Sequence, residues 1–314
     1  MILSAGLSPA WQNTLVFDRV RRGEVNRARE AFWTASGKVI NAARAVQRLG
    51  GGGPGSPLCP GIALTLLGGP AGSAIASSLA AENLRLRSVQ TRTPTRVCTT
   101  VIDRSDGSIT ELVENAGPIA AAELEEFVAV FGREAPLARA VVLTGSLPAG
   151  APSGTFRSLL ASVSAPAVVD VRGEELLAAL ELRPFLVKPN REELGKTVGR
   201  LVIDEAALRE AMADLSRRGA AWVLVSQGRD TVWAHGEGKF YRFRPPEVPA
   251  VNPIGSGDCL AAGIAWATAE GASPLEAIRI GIAAGADNAS VLLPGDIDRE
   301  RVVRLSGDVA VEAT

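Results

Sequence analysis

Short β-branched runs that alternate with Ala- and Leu-rich amphipathic stretches predict an α/β protein, a mostly parallel central sheet flanked by helices. Two further observations agree with that class. The chain has 314 residues, 46% of them hydrophobic and 21% charged, enough to bury a large core. A length near 300 residues is also common for one α/β domain.

The predicted strands are Met1–Ala5, Ile62–Leu67, Ala140–Thr144, Ala167–Asp170, Phe185–Val187 and Ala221–Val225. Between the last two, Asp204 is placed to cap a periodic stretch from Glu205 to Arg218, which Gly219 stops. Ser273-Pro274-Leu275-Glu276 opens another helix, with a capping box and a proline in the first turn. Two polar, alternating stretches, Asn13–Arg29 and Arg92–Glu114, do not suit a central parallel sheet; Asp106-Gly107 reads as a hairpin turn in the second. They predict a small separate sheet, a lid or dimer surface, inserted at about 11–36 and 90–117 into one domain spanning 1–314.

Composition narrows the function. A formal net charge of −1 argues against nucleic acid or an anionic membrane as partner. No apolar run reaches the ~18 residues of a spanning helix and no signal peptide opens the chain, so a cytoplasmic location is expected. Cys59, Cys98 and Cys259 are odd in number and far apart, which disfavours a disulfide framework or a CxxC zinc site. With His235 as the lone histidine, proton transfer must rest on a carboxylate or a less usual base. Lysine is scarce: Lys38, Lys188, Lys196 and Lys239 stand against 29 arginines. Gly50, Gly52 and Gly55 spell GxGxxG, but after a helix and among Pro54 and Pro57, which argues against a dinucleotide fold.

Three segments carry chemistry. Gly255-Ser256-Gly257-Asp258 precedes a small-residue helix running from Cys259 to about Ala269. Its glycines let several N–H groups point at one spot beside a positive helix terminus, an anion site suited to a moving phosphoryl group. Asp258 could accept a hydroxyl proton there; plain helix capping is the competing reading. In Lys188-Pro189-Asn190-Arg191-Glu192-Glu193, Asn190 and Glu193 share a helix face and could hold Mg²⁺ through water, or simply cap the helix. Ser36-Gly37-Lys38-Val39-Ile40-Asn41 opens a helix to about Leu49 but is not a Walker A loop, for Phe32 and Val39 occupy its Gly and Ser/Thr positions. Lys38 and Asn41 could address hydroxyls or a phosphate. Ser146 ends a strand where α/β sheets bind ligands.

Taken in this order, these segments resemble the ribokinase/PfkB carbohydrate kinase family over essentially the whole chain. Asn252-Pro253-Ile254-Gly255-Ser256-Gly257-Asp258 looks like the family's second signature, with Asp258 at the catalytic base. Asn190 and Glu193 match its NxxE magnesium motif, and Ser226-Gln227-Gly228 the Ser-x-Gly turn beside ATP. Arg22-Gly23-Glu24-Val25-Asn26-Arg27, Gly37-Lys38 with Asn41, Gly145-Ser146-Leu147-Pro148 and Val187-Lys188-Pro189-Asn190 are similar to the branch of 1-phosphofructokinase and tagatose-6-phosphate kinase.

The resemblance implies a ribokinase-like sheet with a β lid. It also implies ATP and Mg²⁺, and phosphoryl transfer to a ketohexose monophosphate: fructose 1-phosphate, fructose 6-phosphate or tagatose 6-phosphate. Gly255, Ser256 and Gly257 would stabilise the transferring group. Lys188, Asn190, Ser226 and Gly228 would face ATP, with Asn190 and Glu193 at the metal. Gln12, Arg27, Gly37, Lys38, Asn41, Arg96 and Ser146 would face the acceptor, Arg96 on its phosphate and Arg27 across a homodimer formed through the lid. Three departures stand out: Gln12 replaces the sugar-binding carboxylate, Val39 replaces a glycine, and Thr231 replaces a second glycine of the ATP turn. They keep two alternatives open, a kinase of an unphosphorylated sugar or nucleoside and a non-catalytic sugar-phosphate sensor.

Overall fold

A computed structural model of the chain describes residues 1–51 and 61–314. It opens with β1 (Ile2–Ala5), then leaves the main sheet for β2 (Ala10–Phe17) and β3 (Glu30–Ser36) before α1 (Lys38–Leu49). After β4 (Gly61–Leu67), α2 (Gly69–Ala81) and β5 (Arg85–Gln90), a second excursion makes β6 (Arg96–Asp103) and β7 (Ile109–Val113). Regular alternation follows in α3 (Ala121–Glu134), β8 (Ala140–Thr144), α4 (Thr155–Leu160), β9 (Ala167–Asp170), α5 (Gly173–Leu180), β10 (Leu186–Val187), α6 (Arg191–Val198), α7 (Glu205–Arg218) and β11 (Trp222–Val225). Then come β12 (Val232–Gly236), β13 (Lys239–Arg244), α8 (Ser256–Ala269), α9 (Pro274–Ala289), α10 (Arg299–Asp308) and β14 (Ala310–Ala313).

The large sheet runs β14-β13-β12-β11-β10-β9-β8-β1-β4-β5. Every neighbouring pair from β11 to β5 is parallel, and the β11–β14 edge is antiparallel. Period-2 alternation splits the core between the two faces. Ile2, Val142, Val168, Leu186 and Leu224 face the layer of α1, α8 and α9, while Leu3, Val141, Val169, Val187 and Val223 face α3 to α7. Both faces are covered, as parallel strands require. Helix signals act where the sequence places them: Asp204 Oδ1 accepts from the Ala207 N–H at 2.8 Å, and Glu276 Oε2 from the Ser273 N–H at 3.0 Å.

The lid is a separate four-stranded sheet, β3-β2-β6-β7. Its first excursion differs from the predicted 13–29 strand, since β2 stops at Phe17 and pairing resumes only at Glu30. The reason is local. Asn26 closes residues 21–26 on themselves, accepting from the Arg21 N–H and donating to the Arg21 carbonyl, both at 2.8 Å, which competes with a ladder. The second excursion turns at Asp106-Gly107 as expected, with Gly107 at φ +71°. The predicted glycine-rich loop beyond Gly51, and Cys59 with it, lie outside the described residues. Among the described residues no helix is long and apolar enough to cross a membrane.

Candidate active site

Strand register builds the centre of the site. Thr144 pairs with Asp170 across β8 and β9, and Lys188 follows Val187, which pairs with Val169. Three polar side chains therefore stand in a row at the carboxyl edge of the parallel strands, where open α/β sheets bind ligands. The Asp170 carboxylate accepts from Thr144 Oγ1 at 3.1 Å and pairs with Lys188 Nζ at 3.0 Å and Lys38 Nζ at 3.1 Å. Burial alone would raise the Asp170 carboxyl; the Lys188 and Lys38 ammonium groups outweigh it and hold it at about 2. Burial likewise opposes charge on Lys38, but Asp170, Asp258 and Glu193 more than offset it and keep Lys38 protonated well above the usual lysine range.

The glycine turn delivers the second half. Gly255 is the N-cap of α8 at φ +85°, a left-handed conformation glycine adopts freely, and Asp258 falls in the first helical turn. The Ser256 N–H donates to the Pro253 carbonyl at 3.1 Å, and the Asp258 N–H to that of Gly255 at 3.0 Å. Among the described residues the N–H groups of Gly255 and Gly257 have no protein acceptor. A Cβ on Gly257 would lie 3.3 Å from Lys188 Nζ, so an ammonium stands beside the helix terminus. Helix dipole, free N–H groups and this ammonium together make an anion site. Asn288 fixes the turn, donating to the Ile254 carbonyl at 2.8 Å and to Ser256 Oγ at 3.1 Å.

Asp258 does not cap its helix: the cap is Gly255. Its side chain is buried, and Oδ2 accepts from Asn41 Nδ2 at 2.9 Å. Burial pushes the Asp258 carboxyl up to about 6, with Lys38 pulling against that and Asp170 reinforcing it. A carboxylate in that range is deprotonated at neutral pH yet basic enough to take a proton.

Next to this centre lies a cavity of about 140 Å³ whose walls include Lys38, Val39, Arg96, Ser146, Arg172 and Glu193. Gly37 brings Lys38 there: at φ +96° it passes so close to Pro9 that a Cβ would sit 2.9 Å from the Pro9 Cα. The Ser8 hydroxyl donates to the Ser146 carbonyl and ties the two loops. Arg96, on the lid strand β6, donates to the carbonyls of Pro9, Glu114 and Ser8 at 3.2, 3.1 and 3.0 Å. Among the described residues no carboxylate lies within ion-pair distance of it.

A larger cavity, about 810 Å³, is bounded by Asn190, Arg191, Lys196, Ser226 and Gly228. The Arg191 N–H donates to the Ser226 carbonyl at 3.2 Å, and Arg191 Nη1 to Gln227 Oε1 at 3.0 Å, joining two distant sequence motifs. Asn190 caps α6 and Glu193 closes the box: Asn190 Oδ1 accepts from the Glu193 N–H at 2.8 Å, and Glu193 Oε2 from the Asn190 N–H at 3.0 Å. Capping leaves Glu193 Oε1 available, and Glu193 faces the smaller cavity. Among the described residues no three His, Cys, Asp or Glu side chains are grouped to hold a metal. One carboxylate plus water and phosphate oxygens is a usual Mg²⁺ environment, so the donor set fits that ion.

Four predicted acceptor residues do not stand on the cavity wall; Gly37 is one, and it serves only to bring Lys38 there. Gln12 is buried inside the lid and donates to Thr100 Oγ1 at 2.9 Å. Arg27 lies in the exposed loop between β2 and β3. Asn41 is buried, its amide shared between Asp258 at 2.9 Å and Ser36 Oγ at 3.1 Å, so it positions the carboxylate. Asp170, Arg172 and Asn288 are absent from the sequence motifs. An aspartate closing an apolar strand, as in Ala167-Val168-Val169-Asp170, is the signal that could have marked the first.

Comparison with known proteins bears on the fold and the family. The family model for pfkB family carbohydrate kinases matches residues 10–296. Phosphofructokinase-2 from Escherichia coli, solved with fructose-6-phosphate, is 25% identical, with 98% of each chain covered and a TM-score of 0.86. A Thermotoga maritima protein described as a possible 1-phosphofructokinase is 19% identical, covering 100% of this chain and 99% of that one at a TM-score of 0.88. The ribokinase of the same organism is 19% identical over 97% and 98%, at 0.76. Those two establish a ribokinase-like fold. The chain belongs to the pfkB family of carbohydrate kinases, ATP-dependent phosphotransferases.

Proposed function

We propose that this kinase transfers the γ-phosphoryl group of ATP to a hydroxyl of a ketohexose monophosphate, with Asp258 as general base. Arg96 carries the reading. Its guanidinium has five N–H donors, and backbone carbonyls take three of them. The two that remain, on a cation without a carboxylate partner, suit an anionic group of the acceptor. The E. coli relative solved with fructose-6-phosphate points the same way.

The chemistry then follows from the residues. Asn41 holds one Asp258 oxygen and leaves the other for the acceptor hydroxyl, whose proton it takes as the oxygen attacks. Gly255 and Gly257 N–H groups, with Lys188 beside them, offset charge on the moving phosphoryl group. The Asp170 carboxylate bridges Lys188 and Lys38. ATP would enter past Asn190, Ser226 and Gly228, along the larger cavity. Mg²⁺, held by Glu193 and, through water, Asn190, would neutralise phosphate charge. Trp33, Leu112 and Val113 leave exposed apolar surface on the lid, which supports a homodimer through that sheet; sedimentation at micromolar concentration separates it from a monomer.

One observation favours the unphosphorylated acceptor instead: Arg96 is already anchored three times and could serve the lid alone. An ADP-release assay with Mg²⁺-ATP decides, run against fructose 1-phosphate, fructose 6-phosphate, tagatose 6-phosphate and the free sugars. Turnover confined to free sugars would overturn the proposal.

A further inference from the structure

Arg172 lies on the wall of the acceptor cavity, and no motif or step so far uses it. It stands two residues beyond Asp170 as the N-cap of α5, and its side chain is 63% exposed. Its nearest carboxylate oxygen is Glu193 Oε1, 4.0 Å from Nη1, which is too long for a hydrogen bond. Among the described residues its guanidinium makes no hydrogen bond, so all five donors are open to a ligand.

We propose that Arg172 is a second specificity-determining residue, which holds the acceptor's phosphate from the side opposite Arg96; this rests on the phosphorylated-acceptor reading. A cavity of about 140 Å³ admits one small ligand, so cations on its walls address the same molecule. A phosphate monoester carries a charge of roughly −1.5 to −2 at neutral pH and three acceptor oxygens. The two donors left on Arg96 cannot serve all of them. Lys38 spends one of its three ammonium N–H donors on Asp170 and can offer only the other two. Arg172, with all five donors open, is the wall cation with the most to spare. Arg96 sits on the lid and Arg172 at the start of α5, beyond the main sheet's β9, so a phosphate held by both also ties the lid to the body. A free sugar cannot make that tie.

The test compares wild type, Arg172→Gln and Arg172→Lys on the preferred sugar phosphate and on the matching free sugar. Arg172→Gln should raise KM for the sugar phosphate roughly 10- to 150-fold, as loss of a charge-assisted contact does, with KM for the free sugar and for ATP moving far less. Arg172→Lys should recover part of the loss, because an ammonium keeps charge without the fork. The inference fails if wild type prefers the sugar phosphate and Arg172→Gln leaves that preference intact. It fails too if only the Mg²⁺ requirement moves, which would mean that Arg172 acts on Glu193. If wild type shows no preference for the phosphorylated sugar, the reading beneath it fails as well, and the wild-type data alone reveal this.

Discussion

Asn41 Nδ2 donates to Asp258 Oδ2 at 2.9 Å and so joins two residues 217 positions apart, one on α1 and one on α8. The bond favours the ionised carboxylate against the burial that pushes it up to about 6. Removing it must raise that value further. Asn41→Ala should therefore move the acid limb of kcat/KM to higher pH, because the base is active only when deprotonated. A limb that stays in place would detach Asn41 from the chemistry.

Asp170 predicts stability as well as activity. Asp170→Asn leaves Lys38 and Lys188 without their shared carboxylate, and breaking a buried pair this way costs about 3–5 kcal/mol. The sign with pH follows from its lowered value of about 2. A depressed carboxylate contributes stability above its unfolded value and loses it as pH falls through the folded one. The deficit of the variant in urea unfolding should thus be full at neutral pH and shrink in acid. A deficit that grows in acid would contradict the pairing.

Glu193→Gln separates metal binding from capping. Glutamine keeps an oxygen that can accept from the Asn190 N–H, so α6 should stay capped. The charge is lost, and half-maximal activity should need more Mg²⁺. An unchanged Mg²⁺ titration would take this motif out of the mechanism.

Arg96→Ala should weaken kcat/KM for the sugar phosphate by roughly 10- to 150-fold, as a charge-assisted pair of about 1.5–3 kcal/mol implies. KM for ATP should change little. Arg96→Lys should restore part of the activity. Untouched sugar-phosphate kinetics would move the assignment to an unphosphorylated acceptor.

Six strands of the large sheet, β11 to β4, were legible because each is a short buried apolar run, whereas the partly exposed β5, β13 and β14 and the antiparallel β12 were not singled out. Helices α7 and α9 were legible because Asp204 and Ser273 stand at their N-caps. The geometry of the candidate site was legible where the proposed roles and local structure share residues, as in the Asn190–Glu193 box and the turn at Gly255. It was hidden where register does the work. Nothing near Asp170 in sequence announces Lys188 or Lys38; the β9–β10 pairing brings Lys188 to it, and the start of α1 after Gly37 brings Lys38. The same holds for Gln12, whose neighbour Thr100 is set by the parallel β2–β6 ladder, and for Asn41, which a helix start alone could not aim at Asp258.

Asp258→Asn asks whether this carboxylate is the base. Asparagine nearly preserves the shape of a buried side chain but cannot accept the acceptor's proton. Single-turnover kinetics alongside an ATP-binding titration should show kcat reduced by ~10²–10⁴, the range for loss of a general base, with ATP affinity largely intact. A variant that turns over at the wild-type rate would contradict the account.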